Sequence, residues 1–305
     1  MKNILFTLAT TSLLLGAIGA GAEQLRVVTT TPDLAAIAQA VGGELVTVKA
    51  IARGDQDPHF LEAKPSYMSL VNKADLLVYN GLELEIGWLP LLIQGGRNGK
   101  VLAGQPGNLD ASAGIPVLEI PAGEVDRSQG DIHPLGNPHY TLDPRNGLII
   151  AGTIAARLQA LDPADAATFA KNLEAFKGEL QQKISGWDTR VAALKGRRVV
   201  AYHKQWEYLV SWLGLQTVAY IEEKPGVPPT PRHFADLVEQ MKRDGIGVVI
   251  YANFQDAAVP TRVAGQAGAQ AVGLPASVGG EAGIATYADL FETILSRLEK
   301  GFGGN

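Results

Sequence analysis

The residues best suited to chemistry are three histidines: His59 in Asp57-Pro58-His59-Phe60, His139 in Asn137-Pro138-His139-Tyr140, and His203 in Ala201-Tyr202-His203. The chain has five histidines and no cysteine. Imidazole is the usual nitrogen ligand of a borderline metal such as zinc. Three of them brought together would make a metal site without thiolate. Their gaps of 80 and 64 residues define no local motif of the His-Glu-x-x-His kind, so the fold must gather them. Pro58 and Pro138 restrict the backbone just before two of the three, which pre-organises those ligands.

The elements that must position these residues read as two similar α/β halves around a long helix. In the first half, 25–30, 45–51 and 75–80 are strand-like. Helical spacing covers 32–41, 65–73 and 85–94. In the second, strands are expected at 198–202, 216–221, 247–251 and 269–274, with helices at 205–213, 231–243, 259–267 and 287–300. Alternation of this kind implies mainly parallel sheets. Between the halves, Ala166, Phe169, Leu173, Phe176, Leu180, Ile184, Trp187, Val191 and Leu194 form one apolar stripe at helical spacing. With Asp162 as N-cap, Pro163 in the first turn and Gly196 as the stop, this predicts a rod of roughly 50 Å lying across both halves. A shorter helix, 145–160, precedes it. His59 then follows the second strand, His203 ends the first strand of the second half, and His139 sits at the crossing between them. Open α/β sheets bind ligands beyond the carboxyl ends of their strands, so all three histidines fall on one cleft. Residues 106–138 form a long loop rich in Gly, Pro and acidic residues, a length usually tied to function.

Composition narrows the class. Lys2, the apolar run 4–18 and Ala20-Gly21-Ala22 read as a cleavable secretory signal over 1–22. The apolar run is short for a bilayer span, which needs about 20 residues. With no cysteine there is no bacterial lipobox, no disulfide and no Cys-type zinc knuckle. Without Lys2 the net charge is −6, which argues against a nucleic-acid partner. The run Gly95 to Lys100 is one residue short of a phosphate loop and Val101 stands where Ser or Thr is needed, so it reads as a turn. No GxGxxG follows the first strand, which weakens a dinucleotide reading.

Four stretches, in this order, resemble a known family. They are Asp57-Pro58-His59 with Pro65-Ser66, the run Ala74 to Glu85, Asn137 to Pro144, and Tyr202-His203 with Tyr208-Leu209. The chain resembles the periplasmic solute-binding proteins of zinc and manganese ABC importers (cluster A-I, or TroA-like). The resemblance covers essentially the whole mature chain. It implies two parallel-sheet α/β lobes joined by a single long backbone helix: an N-terminal lobe at 23–144, a helical connection at 145–196 and a C-terminal lobe at 197–305. It also implies a metal held between the lobes by His59, His139 and His203, delivery to an inner-membrane permease, a periplasmic metallochaperone as a further partner, and a monomer in the periplasm.

The chain departs from the family at the fourth ligand, where the family often has Asp or Glu after the last strand. Here that loop reads Leu274-Pro275-Ala276-Ser277-Val278-Gly279-Gly280-Glu281. Glu281, Glu222 and Glu223 are the candidates, with water as another. His133, near Glu119, Glu124, Asp126 and Asp131, is read as a loop residue with some capacity to collect metal. His233 is read as structural or exposed, Trp206 and Tyr208 as packing, and Phe60 and Tyr140 as shields of the site. Three neutral imidazoles favour Zn2+; Mn2+, which prefers oxygen, is the alternative. A zinc hydrolase is a competing reading, but no general base stands beside the ligands. A siderophore or haem binder would leave three cleft histidines surplus.

Overall fold

A computed structural model describes residues 24–123, 125, 130 and 132–303. The proposed signal at 1–22 and the loop acids Glu124, Asp126 and Asp131 lie outside the described residues.

The first sheet contains β1 (Leu25–Thr29), β2 (Val46–Ala50), β3 (Leu76–Tyr79) and β4 (Asn108–Asp110), all parallel, in the order β2-β1-β3-β4. The second contains β5 (Arg198–Ala201), β6 (Gln216–Tyr220), β7 (Val248–Ala252) and β8 (Gln270–Leu274), again parallel, in the order β6-β5-β7-β8. The two orders are the same, so each sheet changes winding direction beside its first strand, where a crevice opens at the carboxyl ends. Strand β4 was not expected. It is a three-residue edge strand with one buried apolar residue, Leu109, inside the stretch read as loop.

Helices α1 (Pro32–Gly42), α2 (Pro65–Lys73) and α3 (Leu89–Gly96) serve the first sheet. The second has α6 (Glu207–Leu213), α7 (Pro231–Asp244), α8 (Ala258–Ala267) and α9 (Tyr287–Gly301). Between the sheets run α4 (Pro144–Leu161) and α5 (Ala166–Leu194). Several start on proline, which has no N–H to leave unpaired in a first turn. Asp143 caps α4 by accepting from Arg145 N.

The rod is α5, 29 residues or roughly 43 Å. Asp162 does not cap it directly. Its side chain accepts from Asp165 N and closes a single 3-10 turn, Pro163–Asp165, after which α5 begins. Phe169, Leu180, Trp187 and Leu194 of the predicted stripe are buried, and α5 packs on α1 of one lobe and on α6 and α9 of the other. Trp187 donates its indole N–H to Glu292, and Arg190 pairs with Glu292 and Glu299. One apolar core runs continuously from Val27 and Leu34 through Tyr140, Phe169 and Trp206 to Leu274 and Leu298. The lobes are therefore joined by packing as well as by chain.

They also meet below the cleft. Asp33, buried in the first turn of α1, accepts from Val278 N at 2.7 Å and Ser277 Oγ at 2.9 Å, both after β8. Gly54, after β2, lies so close to the same loop that a Cβ there would stand 2.3 Å from Gly280 N and Val278 O. Backbone cannot rotate away as a side chain can. Gly54→Ala should therefore push the two loops apart and destabilise the protein by about 1–3 kcal/mol. A denaturant midpoint equal to wild type would show that the loops separate freely.

Candidate metal centre

All three predicted histidines arrive at carboxyl ends of strands. His59 lies in the loop after β2, His139 at the end of the segment after β4, and His203 two residues past β5. One nitrogen from each lies within 4.8 Å of the others. Ring centroids are 5.1 Å apart for His59 and His139, 5.7 Å for His59 and His203, and 5.9 Å for His139 and His203. Among the described residues this is the one group of three or more potential ligands so disposed. A cleft of about 730 Å³ opens beside it, lined in part by His133, His139, His203, Glu222 and Glu223.

Each histidine loop is fixed from behind. Asp57 accepts from the His59 backbone N–H at 3.0 Å and from the ring Nδ1 at 2.7 Å. The peptide carbonyl of Pro58 receives the indole N–H of buried Trp88 at 2.9 Å. Pro138 is held in the same way: buried Asn80 donates its amide to the Pro138 carbonyl at 2.7 Å. The Tyr140 hydroxyl donates back to Asn80 O at 2.6 Å. Asn137 accepts from the His139 N–H at 3.0 Å. Both Pro-His peptides are thus anchored through the proline carbonyl, which fixes where each imidazole leaves the backbone. His203 Nδ1 donates to Glu222 Oε2 at 2.7 Å, and Glu222 also accepts from Gly226 N.

A ring nitrogen that gives its hydrogen to a carboxylate leaves the other nitrogen as a lone-pair donor. His59 and His203 are arranged in this way. His139 is held well below the usual histidine range by burial and by the neighbouring imidazoles. Burial works to raise Asp57, but the His59 contact outweighs it and keeps this carboxyl below its ordinary value.

The proposed fourth ligands are engaged elsewhere. Glu281 pairs bidentately with Arg297. Glu222 stands behind His203 as its orienting partner. Glu223 is exposed on the cleft wall. His133 instead faces the outward nitrogen of a site histidine, with its Nε2 3.2 Å from His59 Nε2. His233 is structural, its Nε2 donating to Tyr220 O at 2.9 Å. Trp206 and Tyr208 are buried, and the Tyr208 hydroxyl also holds the ligand segment by donating to Asn137 O at 3.0 Å. Tyr140 is buried beneath the site, whereas Phe60, expected as a shield, is 67% exposed with its ring beside His59. The sequence missed the supporting roles of Trp88 and Asn80. Asp57 had a signal, since an Asp two residues before a histidine can bond both its N–H and its ring.

If Glu222 orients rather than ligates, Glu222→Ala should retain binding but weaken metal affinity about 10–100-fold. Competition against a chromophoric chelator measures this. Complete loss would make Glu222 a direct ligand.

Residues 27–301 match the family described as "ZnuA: Zinc-uptake complex component A periplasmic". The chain is 27% identical over 291 residues to the iron-binding protein YfeA of Yersinia pestis, covering 92% of this chain and 88% of that one. It is 29% identical over 230 residues to the manganese ABC transporter substrate-binding lipoprotein PsaA of Streptococcus pneumoniae, covering 72% and 69%. A match to the substrate-binding lipoprotein ScbA of Streptococcus cristatus, 32% identical over 166 residues, spans 52% of this chain and 49% of that protein. In fold it is similar to a crystal structure of ZnuA, with a TM-score of 0.76 at 21% identity, covering 92% and 99%. A Mn-bound periplasmic metal binding protein from Candidatus Liberibacter asiaticus gives 0.74 at 21% identity, covering 91% and 99%. With the family match running from the first strand to the last helix, this chain belongs to the extracytoplasmic substrate-binding proteins of metal ABC importers, which work with a permease and an ATPase and are not enzymes.

Proposed function

We propose that the protein captures Zn2+ in the cleft through His59, His139 and His203 and delivers it to its permease. The observation that carries this is the convergence of three imidazole nitrogens, two from one lobe and one from the other, within 4.8 Å. Relatives are named for manganese and iron as well as zinc, so the donor set must decide. Among the described residues no carboxylate joins the group of ligand atoms. Nitrogen donors suit zinc, whereas manganese favours oxygen. The protein works as a monomer in the periplasm after loss of residues 1–22, receiving zinc directly or from a metallochaperone. Some relatives are named lipoproteins, but this sequence has no cysteine to carry a lipid. Metal analysis of protein purified without added metal is the test. One zinc per chain is expected, and bound manganese or iron in its place would overturn the choice of metal.

A further inference from the structure

We propose that His133 is the fourth metal ligand, completing a shell of four imidazoles. This rests on the three-histidine reading and extends it. The four candidates for the remaining corner are Glu222, Glu223, Glu281 and His133. The first is committed to His203 and Gly226, the third to Arg297, and the second is exposed. Of these, His133 is the one whose ring nitrogen faces the Nε2 of a site histidine at ligand spacing. Its Nε2 lies 3.2 Å from His59 Nε2, and its ring centroid is 5.2 Å from His59 and 6.5 Å from His139. A tetrahedron with metal–nitrogen distances near 2.0–2.1 Å has edges of about 3.3–3.4 Å. The His59–His133 pair already spans one such edge.

The orientation of His133 is an independent argument. A ligating histidine almost always has a second partner that fixes its ring. Asp57 does this for His59 and Glu222 for His203. For His133 the partner is the backbone of Leu82, which hydrogen-bonds the ring. Leu82 belongs to an unusual turn: Gly81, Leu82 and Glu83 have φ of 79°, 52° and 65°. Two consecutive non-glycine residues in the left-handed region are costly, and such strain persists only where the surroundings impose it. Buried Glu85 imposes it here, accepting from Asn80 N at 2.7 Å and Gly81 N at 3.1 Å.

The segment carrying His133 is also shaped to reach the site. Gly136 has φ of 104°, and its N–H bonds His133 O at 3.1 Å, closing the turn that returns the chain to Asn137 and His139. A Cβ on Gly136 would strike Val117 and Leu118. Gly130 lies against Pro225 of the other lobe, where a Cβ would stand 2.3 Å from the Pro225 carbonyl. Gly130, three residues before His133, thus meets the other lobe.

X-ray absorption of the zinc-loaded full chain counts imidazoles around the metal. Four are expected in wild type, and three plus one oxygen in His133→Ala and His133→Gln. Zinc affinity should fall about 10–100-fold in both variants, with faster release to a chelator. A wild-type shell of three imidazoles, or unchanged affinity in both variants, overturns the proposal. His59→Ala run alongside separates the two readings. If it abolishes binding while the His133 variants bind as wild type, only the fourth-ligand assignment fails. If it too binds normally, the three-histidine site fails.

Discussion

Alanine at His59, His139 or His203 should each lower zinc affinity by more than about 100-fold while leaving the fold intact. Removing a partner behind a ligand typically costs about 10–100-fold, so removing the ligand itself should cost more. The secondary effects should differ between the three. His203→Ala leaves the Glu222 carboxylate, only 11% exposed, without its ring partner, so metal-free stability should also fall. His139→Ala should do the reverse at low pH. Burial holds His139 well below 6.5, so the stability it contributes is present above that value and lost as pH falls through its folded value. Metal-free His139→Ala should therefore resist acid better than wild type. Chelator competition measures affinity, and circular dichroism with denaturant titration measures the rest. Wild-type affinity in all three variants would remove the site.

The lobes, the rod and the three histidines were legible because each rests on a pattern. Apolar runs alternating with helical spacing imply parallel sheets, and the stripe from Ala166 to Leu194 admits one periodicity. Parallel sheets then place their functional loops at one edge, which is why histidines separated by 80 and 64 residues could be assigned to one cleft. Strand β4 was not legible because Asn108-Leu109-Asp110 has no β-type composition. Its pairing with β3 is what makes it a strand. The start of α3 shifted from 85 to Leu89 because Glu85 points back to cap the strained turn before it. Local periodicity cannot report that use of a side chain. The fourth position was hardest to read. The sequence offered Glu281, Glu222 and Glu223 and read His133 only as a loop residue with some capacity to collect metal; it could not show that Glu281 is taken by Arg297 and Glu222 by His203 and Gly226.

Asp33 is expected to give the largest effect on stability away from the metal. Its carboxylate accepts from Val278 N, Ser277 Oγ and Thr141 Oγ1, so one side chain ties α1 to the loop after β8 and to the residue two past His139. Asp33→Ala leaves three donors near the lobe junction unpaired, at roughly 1–3 kcal/mol each. Even with partial relaxation the loss should be about 3 kcal/mol. Asp33→Asn keeps the shape and separates charge from contact. Burial raises the Asp33 carboxyl from 3.8 to about 6, outweighing its hydrogen bonds. Folding therefore takes up a proton between those values. The associated stability is present below about pH 4 and lost as pH rises through 6, and the difference is worth roughly 3 kcal/mol. Glu85, raised to about 7, adds in the same sense, while His133, lowered to about 4, opposes it. Comparing unfolding of metal-free wild type and Asp33→Asn at pH 4.5 and 7.5 cancels those shared contributions. The variant should gain on wild type at the higher pH by about 2 kcal/mol. An Asn variant that tracks wild type across the range would mean that Asp33 stays ionised throughout. In that case its three donors, rather than burial, would control the charge at the junction of the lobes.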